Sequence, residues 1–298
     1  MAGLEELQHS IDTVEDLQSI VRTMKALSAA SISQYERSLV ALKEYNRTVE
    51  MGLHVVLRGR VDRDKPPKAG PGSRLGAIVF GSDRGLCGRF NEEIAEYAIA
   101  KINGFQIRHD DRLLVSVGAR VDAALQALNH KVEESFFVPG SVSGITETVQ
   151  QILIKIDEWR MLRDVEHILL FYQQHSGGFA NPEPRMLHLV PVDLGRFRHV
   201  AEEPWPSHIL PTYSMDPESL FSALIREYFF VSIYSACTHS LVSEHTSRLT
   251  SMQGAERNID GRLTELSGQY HQQRQQQITE ELLDVIAGFE VIKGKKII

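Results

Sequence analysis

The sequence predicts an α/β domain inserted between two long terminal helices that pair as an antiparallel coiled coil. Apolar residues recur at gaps of three and four from Leu4 to about Leu57, and again from roughly Asp216 to Phe289. Between them, short apolar runs alternate with amphipathic stretches. At ~1.5 Å per residue, helices of about 50 to 75 residues span roughly 75 to 110 Å, far more than a compact domain encloses. Neither stripe is stable in water, and a chain reversal separates them, so the economical arrangement lays one helix antiparallel along the other.

The first stripe is Leu4, Leu7, Ile11, Val14, Leu17, Val21, Met24 and Leu27, followed more weakly by Tyr35, Leu39, Leu42, Tyr45, Val49 and Val56. Ser28, Ala29, Ala30 and Ser31 form a small-residue waist. The run Lys65, Pro66, Pro67, Gly70, Pro71 and Gly72 stops the helix and opens a linker. Strands are then expected at Leu75 to Phe80 and Leu113 to Val117, with helices at Asn91 to Ile102, Ala119 to Leu128 and Ile145 to Trp159. Val165 to Tyr172 and Met186 to Val192 read as further strands. This alternation implies a mainly parallel sheet covered on both faces. Glu202 to Pro217, rich in proline, is a second linker, with Asp216 and Pro217 as cap and first-turn residue of the returning helix. Leu249, Met252, Ala255, Ile259, Leu263, Leu266 and Tyr270, then Ile278, Leu282, Val285 and Phe289, form the second stripe. The expected domains are 1–60, 61–213 and 214–298.

The composition narrows the function. At 298 residues with 42% hydrophobic and 24% charged residues, the chain has the make-up of a soluble globular protein. A net charge of −7 and a pI near 6.0 argue against nucleic-acid binding, which leaves a basic footprint. Acidic Glu5 and Glu6 do not fit a signal peptide, and apolar clusters such as Tyr228 to Tyr234 are too short for a bilayer, so a cytosolic or peripheral protein is expected. Cys87 and Cys237 are the only cysteines, which excludes a disulfide framework or a cysteine-rich zinc site.

The most motif-like loop is Gly81-Ser82-Asp83-Arg84-Gly85-Leu86-Cys87-Gly88, between a strand and a helix where phosphate loops commonly sit. It lacks the lysine and hydroxyl that end a P-loop, and its glycines are four and three apart, so it reads as a tight turn with Cys87 a small packed residue. The 12 histidines, including His167, His175, His239 and His245, lack metal-ligand spacing. Ser176-Gly177-Gly178 reads as a turn. No metal or cofactor is expected. Gly254, Gly261 and Gly268 recur every seven residues in the final helix, each costing roughly 1 kcal/mol of helix propensity. They lie about 200° from the Ile259 stripe, a slim outer face for a surrounding partner.

Taken together the chain resembles, over nearly its full length, the gamma subunit of F-type ATP synthases. The resemblance rests on Ile11-Asp12-Thr13-Val14, Met24-Lys25-Ala26-Leu27-Ser28-Ala29-Ala30, and the signature turn Ser82 to Gly88 with Phe90-Asn91. Toward the end it rests on Ser243-Glu244-His245, Arg248-Leu249, Asn258, Tyr270, Arg274-Gln275, Ile278-Thr279, Glu281-Leu282, Asp284-Val285 and Gly288. Ser19, Phe289, the run Gln272 to Gln277 and the tail Lys293 to Ile298 depart from the family pattern. The resemblance implies a non-catalytic central shaft with a Rossmann-like α/β domain, coupling ion flow to ATP synthesis or hydrolysis. It implies as partners the alpha and beta subunits of the hexamer, the epsilon subunit and the membrane rotor ring, at the cytoplasmic face of a bacterial inner membrane. It places Met24, Arg248, Arg274, Gln275, Thr279 and Asp284 at contacts with the beta subunits. The residues alone also admit an α/β nucleotide-binding enzyme with a helical dimerisation stalk, or a coiled-coil adaptor.

Overall fold

The computed structural model describes residues 2–57, 72–175, 182–193 and 211–294. The expected hinge Lys65 to Pro71, the turn Ser176 to Gly178, most of the linker from Glu202, and the last residues of the tail lie outside them, as does the side chain of Phe289. Two terminal helices, α1 (Ala2–Leu57) and α5 (Pro217–Gly294), enclose in sequence the α/β region, as the apolar spacing predicts. Asp216 begins α5 as expected: its carboxylate accepts the Ser219 amide at 3.0 Å and its carbonyl accepts the Leu220 amide. The chain divides into two compact units, residues 1–27 with 249–298, and residues 28–248.

The larger unit is built on a five-stranded sheet. Its strands are β1 (Arg74–Phe80), β2 (Arg112–Val117), β3 (Glu134–Phe136), β4 (Val165–Gln174) and β5 (Glu183–Val190), in the order β3-β2-β1-β4-β5. All neighbouring pairs are parallel except β5, which runs antiparallel to β4 at one edge. The helices between strands are α2 (Phe90–Asn103), α3 (Ala119–Ala127) and α4 (Val142–Leu162). Because strand side chains alternate faces, Leu75, Ala77 and Val79 pack with Ile94, Ala98 and Ile102 of α2 and Val121 and Leu125 of α3. Ile78 and Phe80 pack on the other face with Ile145, Val149, Ile152 and Trp159 of α4, with Leu53 of α1 and with Tyr228 and Val231 of α5. The sheet is thus covered on both sides, as the continuous apolar runs require.

Two differences from the sequence reading have simple causes. β3 is three residues long and two of them, Glu134 and Ser135, are polar and exposed, so no apolar run marks it. The cluster Tyr228 to Tyr234 is short, as read, but a longer stretch of α5 is apolar enough on average, by length and composition, to cross a membrane. Tyr228, Val231, Ile233, Ala236, Cys237, Leu241 and Val242 on α5 are buried in the core beside the sheet, which accounts for part of that hydropathy, 39% of the apolar stretch being buried within the chain.

The smaller unit is the antiparallel pairing of the start of α1 with the later part of α5. Leu4, Leu7, Ile11, Val14 and Val21 are buried or half-buried, as expected. Leu17 and Leu27, read as part of the same stripe, are 49% and 63% exposed. The half-buried set continues instead through Gln18 and Lys25, which keep a strict three-four alternation from Leu4. These polar members are paired across the seam: Gln18 donates to Asp260 at 2.6 Å, and Lys25 bonds to Glu256, which also faces Arg22 at 3.5 Å. The Lys25 hydrogen bond, opposed by partial desolvation, holds Glu256 below the usual carboxylate range. Gly254, Gly261 and Gly268 have open space where a side chain would project, in keeping with an outer line.

Candidate functional site

The signature turn closes β1 onto the helices at the carboxyl end of the parallel strands. Gly81 continues the β1 and β2 pairing by donating to the Val117 carbonyl at 2.8 Å. Ser82 is fully buried; its amide donates to Asn91 Oδ1 at 2.9 Å and its hydroxyl to the Arg84 carbonyl at 2.9 Å. Asn91 Nδ2 in turn donates to Ser82 Oγ at 2.9 Å, so the first turn of α2 and the loop share one buried network. Asp83 accepts the Ala119 amide on one oxygen and the Val138 amide on the other, both at 2.9 Å. It therefore caps α3 and anchors the segment after β3 together. Gly118 lies at φ 118° with its missing side chain aimed at the Ser82 backbone 2.8 Å away, so only glycine fits this approach.

Arg84 and Gly85 offer their carbonyls to a single side chain from the other end of the sequence. Arg248 Nη2 lies 3.2 Å from the Arg84 oxygen and 3.3 Å from that of Gly85, and Nε lies 3.4 Å from Gly85. The same Nη2 meets Glu244 Oε1 at 2.7 Å, one turn back on α5, and both side chains are 7% exposed. Burial raises the Glu244 carboxyl above its ordinary value, opposed mainly by Arg248. Leu86, at φ 65° with its side chain exposed, and Gly88, at φ 62°, turn the chain back toward Cys87 and α2. Cys87 is buried against Ser82 and Asn91, and burial first of all raises its thiol pKa. This is the small packed residue that the spacing suggested. Ser82, Asp83 and the Arg84 and Gly85 carbonyls are engaged with the chain itself, as in a structural strand-to-helix turn.

Around Arg248 the same unit holds a buried polar cluster. Tyr35 of α1 stacks on His245 with ring centroids 5.8 Å apart. Burial pushes Tyr35 up to about 12, and burial followed by the Arg248 charge brings His245 down to about 4. Ser243 donates to the Gln173 carbonyl at 3.0 Å, and Gln173 reaches the Phe90 carbonyl at 2.6 Å, joining α5, β4 and α2. Among the described residues no group of three or more potential metal ligands occurs.

The other sequence-derived candidates are placed differently. Met24 is half-buried in the helical pair. Arg274, Gln275, Thr279 and Asp284 are exposed on α5. Arg248, grouped with them by resemblance, turns inward to the signature turn, because Glu244 and the Arg84 and Gly85 carbonyls lie within its reach. Sequence reasoning gave no roles to Glu244, Asn91 and Gln173; Gln173 reaches a backbone carbonyl 83 residues away and Asn91 a loop nine residues back, whereas the Glu244 and Arg248 spacing of four on one helix was a signal that could have been read.

This architecture can be compared with known proteins. The family model described as ATP synthase matches residues 3–292. The chain belongs to the ATP synthase family. An ATP synthase gamma chain of Bacteroides thetaiotaomicron is 26% identical over 297 residues, covering 97% of this chain and 99% of that relative. The fold of this ATP synthase family chain is similar to one in the Euglena gracilis mitochondrial ATP synthase OSCP/F1/c-ring structure, with TM-score 0.63, 17% identity, and coverage of 100% of this chain and 97% of the other. A chain of the Tetrahymena thermophila mitochondrial ATP synthase central stalk and c-ring matches with TM-score 0.56 at 17% identity, covering 79% and 99%. Full-length coverage in both the family model and the gamma chain relative places the signature turn, the sheet and both terminal helices within one family pattern.

Proposed function

We propose that this chain is the central rotor shaft of an F-type ATP synthase, a subunit without catalytic chemistry of its own. Its partners are the alpha and beta subunits of the hexamer, an epsilon subunit and a membrane rotor ring, at the cytoplasmic face of a bacterial membrane. The observation that carries this reading is the end of α5. A side chain at Gly3 would meet Gln273, so α1 starts level with that residue, and α5 continues to Gly294. On this extension Ile278, Leu282, Leu283, Val285 and Ile286 are each at least half exposed. Such a helix end invites an enclosing sleeve. A single chain inside a ring of equivalent sites cannot contact them all alike, so its orientation favours a different state at each. Arg274, Gln275, Thr279 and Asp284 then face the beta subunits, with Met24 at the border of the helical pair. Arg248 contributes through the signature turn in the free chain.

The test is co-expression of the tagged chain with its genomic alpha and beta neighbours, followed by an ATPase assay and a coupling assay in vesicles. Recovery of an ATP-hydrolysing hexamer, with coupling lost when the chain is truncated after Gln273, is expected. A chain that purifies without any alpha or beta subunit refutes the proposal.

A further inference from the structure

Arg248 is the last residue of the larger unit, on the helix that continues into the smaller one. Its guanidinium is buried, and a buried cation needs a counter-charge and well-placed acceptors. The signature turn supplies only acceptors, the Arg84 and Gly85 carbonyls, at 3.2 to 3.4 Å. Asp83, the acidic residue of the turn, has both oxygens on backbone amides. The short, charge-assisted bond is to Glu244 at 2.7 Å, and the second Glu244 oxygen is buried without a hydrogen-bond partner among the described residues. Glu244 thus has Arg248 as its hydrogen-bonding partner, and Arg248 has the Glu244 carboxylate as its nearest counter-charge.

We propose that Glu244 is a positioning residue for Arg248, holding its guanidinium against the Arg84 and Gly85 carbonyls and so keeping the signature turn closed over Cys87. The turn, α2 and the part of α5 that ends at Arg248 are then held together within the larger unit. The role in the turn is independent of the rotor assignment, while its consequence for coupling rests on it.

Cys87 reports the state of the turn, because its sulfur lies against Ser82 and Asn91 inside the closed loop. The full chain is treated with a small maleimide, and modification of the Cys87 peptide is followed by mass, separately from that of Cys237. In Glu244→Gln, which keeps the shape and removes the charge, Cys87 is expected to react about tenfold faster, equivalent to about 1.4 kcal/mol of lost closure. Arg248→Met should do the same, and Glu244→Gln/Arg248→Met should react no faster than Arg248→Met, because Glu244 acts only through the arginine. The double variant removes both charges, so this comparison stands even where Glu244→Gln alone strands the cation and unfolds the chain. Parental labelling in a folded Glu244→Gln, or a further acceleration in the double variant over Arg248→Met, overturns the proposal. In the assembled complex, Glu244→Gln should retain ATP hydrolysis and lose ion pumping per ATP. A chain that never assembles with a hexamer defeats the rotor assignment, whereas the labelling alone decides the role of Glu244.

Discussion

The ring of Trp159 fills the volume that a side chain at position 76 would need. Gly76 lies mid-strand in β1, and a Cβ placed there meets the six-membered ring of Trp159, itself fully buried. Gly76→Ala must therefore displace the largest side chain of that core face. The expected cost is about 1 to 3 kcal/mol, as for other overpacked cores. Urea unfolding should show a lower midpoint with an unchanged slope, and Trp159→Leu should recover part of the loss in the double variant. A midpoint equal to that of the parent contradicts the packing described.

Asp83→Asn probes the cap at the start of α3. The carboxylate serves two amides, Ala119 and Val138, with one oxygen each. An asparagine retains one acceptor and turns an NH2 group toward the other amide. One backbone donor is left unmet, at a cost of about 1 to 3 kcal/mol. Hydrogen exchange at Ala119 and Val138 is the direct measurement, and acceleration at one of the two sites is expected.

The pH dependence of stability should carry the signature of His245. Its pKa falls from 6.5 to about 4 in the folded chain, through burial first and then the Arg248 charge. The unfolded chain therefore takes up the proton first as pH drops. Stability from this group is complete above about pH 6.5 and declines toward about pH 4, by roughly 3 kcal/mol over the window. Burial lowers His167, His188 and His239 as well, and these add in the same direction. His245→Phe keeps an aromatic ring against Tyr35 and should flatten the profile between these pH values. An unchanged slope removes His245 as a source of the acid sensitivity.

How much of this was legible in the sequence depends on the range of each interaction. Helix limits followed from apolar spacing, and β1 and β4 from unbroken apolar runs, because those signals are local. β3 was invisible because two of its three residues, Glu134 and Ser135, are polar and exposed at a sheet edge. Asp83 could be placed in a turn, but its two amide partners lie 36 and 55 residues away and carry no side-chain signal. Arg248 was recognisable as a functional candidate, yet its direction depends on carbonyls 163 and 164 residues distant.

The helical seam shows the same limit and yields a sharp contrast. Apolar character alone ranks Ile11 and Leu27 together, whereas the structure buries Ile11 and leaves Leu27 63% exposed. The seam positions between them include Gln18 and Lys25, polar side chains with partners on α5. Ile11→Ala should lower stability by about 2 kcal/mol, the low end for a buried isoleucine near a helix end. Leu27→Ala should stay within about 0.5 kcal/mol of the parent. Thermal melts of the full chain separate the two, and equal losses refute the seam assignment.

Gly261→Leu distinguishes folding from assembly. Position 261 is exposed, no described atom beyond its own helical turn lies within 4 Å of the added Cβ, and leucine is a better helix former than glycine by nearly 1 kcal/mol. The isolated chain should therefore melt at the same temperature or slightly higher. If the outer glycine line is where an enclosing hexamer comes close to α5, the four carbons of leucine occupy space that the partner needs. Recovery of the hexamer with the tagged variant should fall while the fold is retained. Parental yield and coupling from Gly261→Leu show that the glycines have no part in the contact, and a destabilised free chain shows that position 261 faces the seam after all.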